Sequence, residues 1–361
     1  MKKFLCVLLS LLFTVPFLCS CTVKVYEDEM FSLDTIITFK LSCDKIENAV
    51  EYVNECKAEI KRLEKLLSAT DTESDIYKIN HSNGEKVKVS QETASLIKTA
   101  VDLSKETNGA FDITVYEAVK LWGFDTKEYR VPHTDEIKAT VKKTGYKNIE
   151  ITDDNMVSLK NDISIDLGGI AKGYIANKIY DILATQAKDI NSAIVNFGGM
   201  VFTVYGNAQR KDAKWVIGVE HPDAGSDYFA TLTLDSGDVT TSGSYQRYFE
   251  QDGKTYHHII DPTTGMPAQS DMSSVTIVND CNEKTDAMST AFFVMGIDKT
   301  IEFIKEHNFY EENEYAQPVP YSLVILSADK KRVYVTKDLI DNGFELQQEY
   351  KNQITVEVIE I

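Results

Sequence analysis

The run Asp166-Leu167-Gly168-Gly169-Ile170-Ala171-Lys172-Gly173-Tyr174 sets a carboxylate, a glycine pair and a lysine where a strand is expected to turn into a helix. Ile163-Ser164-Ile165 before it alternates like a strand end, and Ala176, Ile179, Ile182 and Leu183 after it recur at helical spacing. Glycines at such a junction let backbone N–H groups and the positive end of a helix approach phosphate oxygens, and Lys172 adds a formal charge. An ordinary tight turn is the competing reading, because short glycine-rich motifs are common. A second glycine pair, in Asn196-Phe197-Gly198-Gly199, follows the apolar run Ala193-Ile194-Val195. Two such turns can face one ligand, or simply mark bends where backbone packs closely.

Two further clusters carry functional groups. Thr240-Thr241-Ser242-Gly243-Ser244-Tyr245-Gln246-Arg247 leads into a hairpin expected at Asp252-Gly253, followed by Tyr256-His257-His258-Ile259-Ile260-Asp261-Pro262. Neighbours in a strand point to opposite faces, so His257 and His258 are poorly placed to chelate one metal, and one of them should face a site. Such a histidine can accept a proton near neutral pH or hold a phosphate by hydrogen bonds; a half-buried structural histidine is the plainer alternative. Arg247 can pair with phosphate or lie on the hairpin surface. Asp286 and Thr290 stand four residues apart at the start of an expected helix, so that a carboxylate and a hydroxyl share one face. That sparse pair suits magnesium, which keeps water and substrate phosphate as its other ligands; a helix-start Asp favoured by the macrodipole is the alternative.

Lys2 and Lys3 precede an uncharged apolar run from Phe4 to Ser20 that ends in Leu18-Cys19-Ser20-Cys21, which has the layout of a signal peptide with a bacterial lipobox. Residues 1–20 are therefore expected to be cleaved, Cys21 to carry the lipid, and residues 21–28 to form a linker. Several acyl chains anchor a protein firmly, at roughly 0.8 kcal/mol per buried methylene. Cleavage removes two lysines and no acids, which takes the formal charge from −18 to −20 and makes nucleic acid an unsuitable partner. Of six cysteines only Cys43, Cys56 and Cys281 are left for the folded part. They form no metal-type spacing and are read as structural, with a Cys43–Cys56 bridge open to them in an oxidising compartment.

The elements that must position these groups follow from periodicity. Thr35–Phe39 reads as a strand, 45–67 and 91–107 as helices, 148–166 as short strands and 171–187 as a helix. From Ser192 to Leu234 four strand-like runs suggest one meandering antiparallel sheet. A helical stretch over 284–308 and two strands over 321–335 follow. Strands and helices cluster without strict alternation, which argues for an α+β fold with antiparallel or mixed sheets and flanking helices. Residues 29–361 are expected to form one large domain or two intimate lobes.

In order along the chain, LDT (33–35), GAFDITV (109–115), LWGF (121–124), DLGGIAKGY (166–174), NFGG (196–199), TTSGSYQRYF (240–249), HHIIDPTTG (257–265) and TDAMSTAFFVMG (285–296) closely resemble the ApbE family of FAD:protein FMN transferases. The resemblance implies magnesium-dependent transfer of FMN from FAD to a threonine or serine hydroxyl of target proteins, with AMP released. It implies a cation held by Asp286, Thr290 and the Gly169 carbonyl, and an FAD site lined by Leu33, Thr70, Ala110, Phe111, Asp112, Asp166, Lys172 and Ile259. His258 is the histidine expected near the transferred phosphate. Thr70 stands where some members carry an aromatic residue, Ser289 where some carry a second Asp, and Leu33-Asp34-Thr35 in place of a common Met-Gly-Thr. The same resemblance implies a lipid-anchored protein on the extracytoplasmic face of a bacterial membrane. Its implied partners are flavin-accepting subunits of membrane redox complexes or secreted flavoproteins. An FAD pyrophosphatase yielding FMN and AMP, and a non-catalytic flavin-binding lipoprotein, are the alternatives.

Overall fold

The computed structural model describes residues 24–223, 227–279, 283–307, 310–311 and 319–360. Its centre is a sheet whose strands lie side by side in chain order: β1 (Val25–Ser32), β2 (Thr35–Cys43), β3 (Ile190–Asn196), β4 (Met200–Val204), β5 (Gly237–Gly243), β6 (Met272–Asn279), β7 (Ser322–Ser327), β8 (Arg332–Thr336) and β9 (Thr355–Ile359). Neighbours are antiparallel until β8 and β9, which run parallel. That last pair needs a crossover, supplied by the helix Lys337–Asn342 and the chain after it.

Both faces of the sheet are covered, as the period of two requires. In β7, Leu323 and Ile325 enter the core on one face while Val324 and Leu326 enter a second core on the other. The first face packs against α1 (Ile46–Leu67), α2 (Gln91–Glu106), α3 (Ala171–Asp181) and α4 (Lys284–Met295), with α5 (Ile297–His307) following α4. α1 buries Ala49, Val53, Cys56, Ile60, Leu63 and Leu67 along one stripe, the amphipathic pattern anticipated for 45–67. The second face packs against a separate three-stranded sheet of Trp215–Glu220, Tyr228–Leu234 and Phe344–Leu346.

That separate sheet corrects the expected single meander over 192–234. The chain leaves the main sheet at Tyr205, in left-handed backbone (φ 57°), and Trp215 Nε1 donates to the Tyr205 carbonyl (2.7 Å), so the following strands cross to another layer. Ile163–Ile165 forms no strand, because the Asn80 side chain both donates to the Ile165 carbonyl (2.8 Å) and accepts from its N–H (2.8 Å). A side-chain amide thus takes the place of a ladder partner. The helical stretch over 284–308 is two helices divided at Gly296 (φ 82°), whose N-terminal neighbour helix ends there while Asp271 accepts from the Ile297 N–H (2.8 Å). A Cβ on Gly296 would stand 2.8 Å from that carboxylate, so only glycine fits.

Cys43 and Cys56 are both buried and free, so the bridge open to them in sequence is not made. Burial pushes their thiols up to about 11 and about 12. The expected signal peptide, Cys21 and Cys281 lie outside the described residues, and β1 begins within the segment expected as linker. Among the described residues no helix is long and apolar enough to cross a membrane.

Candidate functional site

A cleft of about 960 Å³ brings together residues from most of the chain, at the upper end of the range for small-molecule sites. Leu33, Thr70, Ala110, Phe111, Asp112, Asp166, Gly169, Lys172, His258, Ile259, Asp286 and Thr290, the residues singled out in sequence, all line it. So do both glycine turns, through Gly168 with Gly169 and Gly198 with Gly199.

The floor is set by the meeting of α3 and α4. Gly173 on α3 lies so close to α4 that a Cβ there would stand 2.7 Å from the Glu283 carbonyl and 3.0 Å from Asp286 Cβ. This approach lets the Gly173 N–H donate to Asp286 Oδ2 (3.2 Å) and brings Lys172 Nζ to 3.9 Å from Asp286 Oδ1. Asp286 is only 4% exposed and sits in the first turn of its own helix while receiving an N–H from the first turn of α3. Two helix starts therefore favour one buried negative charge. A Cβ on Gly169 would lie 3.1 Å from the Phe111 ring and 4.0 Å from Thr290 Oγ1, so the Asp166–Lys172 turn is pressed against the α4 pair. The Gly169 carbonyl, the Asp286 carboxylate and the Thr290 hydroxyl thus come from adjoining segments and are all hard oxygen donors. No group of three or more His, Cys, Asp or Glu that could hold a metal occurs among the described residues. The donor set still suits a cation that takes few protein oxygens and fills its shell from water and phosphate. Ser289 does not line the cleft; its hydroxyl bonds Ser242 Oγ (2.8 Å) and donates to the Asp286 carbonyl (2.8 Å), tying α4 to β5.

His257 and His258 diverge as strand geometry requires. His257 is buried with Nε2 donating to the Ala268 carbonyl (3.0 Å), whereas His258 lines the cleft. Both the backbone N–H and Nδ1 of His258 lie against the Arg247 carbonyl, at 3.0 and 3.1 Å. A carbonyl only accepts, so Nδ1 carries the proton and Nε2 keeps its lone pair. Burial, then the nearby Lys172 charge, push the His258 imidazole down to about 3, so the ring is neutral at physiological pH. The hairpin bearing it, Tyr248–Gln251 with Lys254–His257, is held by ring packing of Phe249 on Tyr129 and Tyr256 and of Tyr256 on Trp122.

Asp112 reaches the cleft lining yet both its oxygens are engaged. Oδ1 accepts from the Thr114 N–H and hydroxyl (2.9 and 2.6 Å), and Oδ2 from the Tyr146 N–H (2.9 Å). Burial nonetheless raises its carboxyl above the usual range. It ties the turn at Thr114 to the segment starting at Tyr146. Asp166 is likewise raised by burial and accepts from the Gly168 N–H (3.0 Å). Thr70 is exposed, its N–H donating to Ser68 Oγ (3.1 Å). Arg247 and Gln246 of the Thr240–Arg247 cluster line the cleft, and so do Glu64 and Lys127, which no motif marks in the sequence. Lys127 lies in a charged surface loop with no periodic signal, and the fold brings it, still exposed, to the rim of the cleft.

The ApbE family model matches residues 20–311 of the chain. An FAD:protein FMN transferase of Klebsiella pneumoniae (strain 342) is 36% identical over 245 residues, covering 66% of this chain and 74% of that protein. One of Treponema pallidum (strain Nichols) is 32% identical over 262 residues, covering 68% and 72%. The crystal structure of an ApbE protein from Thermotoga maritima superposes with a TM-score of 0.74 at 36% identity, covering 92% of this chain and all of that one. The apo flavinyl transferase ApbE of Pseudomonas stutzeri, at 24% identity and a TM-score of 0.70, shares the fold.

Proposed function

Since the chain belongs to the ApbE family, we propose that it is an FAD:protein FMN transferase that cleaves the pyrophosphate of FAD, esterifies FMN to a threonine or serine hydroxyl of an acceptor protein and releases AMP. The observation that carries this reading is the convergence of Lys172, His258, Asp286 and Thr290 on one cleft beside two glycine turns. Asp286, Thr290 and the Gly169 carbonyl would hold magnesium, which supplies charge neutralisation to the pyrophosphate oxygens when bound.

The residues of this chain have separable tasks. Lys172 places a cation beside the phosphates, where an N⁺–H to phosphate bond is of the strong, charge-assisted kind. Asp286, buried and held by the Gly173 N–H, is oriented before any ligand arrives. Neutral His258, with Nδ1–H fixed by Arg247, offers Nε2 as acceptor for the proton of the attacking hydroxyl. The acceptor oxygen bonds the FMN phosphorus, the bridging P–O bond breaks, and the bridging oxygen leaves with AMP. Anionic phosphate arriving beside His258 raises its affinity for that proton.

Incubation of residues 24–361 with FAD, magnesium and a threonine-bearing acceptor domain tests this. The acceptor should gain the mass of FMN less water, and a chelator should abolish the gain. Free FMN and AMP with an unchanged acceptor would replace transfer by hydrolysis, and FAD binding with no turnover would leave a binding protein. Anchoring through Cys21 on the extracytoplasmic face of a bacterial cell membrane is part of the proposal, supported by the Lys2-Lys3 start and the Leu18–Cys21 sequence. Fatty-acid labelling that persists in Cys21→Ser would remove it.

A further inference from the structure

The β1–β2 hairpin turns through Leu33 (φ 54°) and Asp34 (φ 59°), two non-glycine residues in left-handed backbone. Lys127, which also lines the cleft, is left-handed as well (φ 65°). The Asp34 carboxylate lies 3.3 Å from Lys127 Nζ and 3.9 Å from Arg247 Nη1. All three side chains line the cleft that holds the phosphate-type turns.

The turn is held in place from two sides. Ser32 Oγ and the Leu33 N–H donate to the two oxygens of Glu64 on α1 (2.6 and 2.7 Å). Thr35 is packed against the second glycine turn, its Oγ1 only 2.1 Å from where a Cβ on Gly198 would stand. The Lys127 loop is equally tight, since a Cβ on Gly123 would stand 2.1 Å from the Glu128 carbonyl. A two-residue hairpin between paired Ser32 and Thr35 takes left-handed backbone at both central residues, which aspartate tolerates and which fixes the direction of the Asp34 side chain. An exposed ion pair adds little to stability, so the meeting of Asp34 with two cleft cations bears on what the cleft binds more than on the fold.

We propose that Asp34 sets the affinity of the cleft for phosphate-bearing ligands. Its carboxylate neutralises Arg247 and Lys127, so an arriving phosphate must take these cations from it and bind beside a like charge. The inference rests on the cleft being the FAD site. Asp34 thereby weakens FAD binding relative to what the two cations alone would give, and favours departure of the anionic product.

The test is titration of residues 24–361 and their Asp34→Asn and Asp34→Gly variants with FAD, by flavin fluorescence, at low and high salt. Asparagine tolerates left-handed backbone and removes only the charge; glycine removes the charge and also frees the turn. Both variants should bind FAD about three- to tenfold more tightly at low salt, with the gap closing at high salt as screening shortens the reach of the lost charge. Riboflavin, which lacks phosphate, should gain nothing. An Asp34→Asn affinity equal to or weaker than that of the unsubstituted chain overturns the proposal. So does a gain confined to Asp34→Gly, which assigns the effect to the turn, or an equal gain for riboflavin. If the unsubstituted chain binds no FAD, the functional reading itself fails; if it binds FAD and Asp34→Asn binds alike, only the role of Asp34 does.

Discussion

At the floor of the cleft the Asp286 side chain is 6% exposed and receives an N–H from a neighbouring helix, whereas at the rim the Asp34 side chain is 58% exposed and rides on left-handed backbone. Both are carboxylates near a cation, Lys172 for the first and Lys127 with Arg247 for the second. Their surroundings give them opposite uses. Where helices pack closely enough to exclude Cβ atoms, a charge is fixed in one orientation and can serve chemistry that needs preorganised groups. Where water screens the pair, the same charge is exchangeable, and it adjusts affinity instead.

The sharpest way to break this contrast is Asp286→Ala, which should leave a folded protein with transfer reduced more than about a thousandfold, as expected when a charge-positioning group of phosphoryl transfer is lost. Full activity in that variant, read from acceptor mass, would dissolve the distinction between floor and rim. His258→Gln should lower kcat by about a hundredfold, the usual scale for a proton acceptor, while FAD affinity stays within a few-fold. Equal losses in affinity and rate would recast His258 as a binding group. Lys172→Ala should weaken FAD binding about tenfold, in line with a charge-assisted bond to phosphate; an unchanged dissociation constant would remove its role. The rim substitutions at Asp34 are expected to act in the opposite direction and more weakly.

A smaller effect concerns pH and stability. The unfolded chain takes up a proton at a histidine near pH 6.5, but folded His258 does so only near 3, because burial and then Lys172 oppose its charge. Between those values the unfolded state binds more protons, so this group drains stability as pH falls from 7 towards 5. The melting temperature should therefore drop less over that interval in His258→Gln than in the unsubstituted protein. An equal drop in both would show that the ring is not held neutral.

Much of the α+β architecture was legible because its signals are local. The stripe of α1, the Asn108-Gly109 stop after α2 and the Asp252-Gly253 hairpin turn each depend on a few adjacent residues. Ile163–Ile165 misled because its backbone partner is a side chain 85 residues away, on Asn80. The split of 192–234 between two layers had no local mark beyond a tyrosine that the fold holds in left-handed backbone. Arg247 stayed ambiguous for a similar reason, since facing phosphate and facing solvent look alike along a hairpin.

The amino-acid sequence already names the groups available: two glycine pairs, a lysine at a helix start, an Asp and Thr one turn apart, and adjacent histidines that had to diverge. Residue type and spacing suffice for that, because turn chemistry and the periods of helix and strand act over a few residues. The packing of distant segments brings these groups to one cleft, engages Asp112 and Ser289 in hydrogen bonds inside the protein, and leaves His258 Nε2 free. It also brings Asp34 to two cations from distant loops. Those outcomes depend on close approach between segments far apart in the chain, and on the burial that such approach creates.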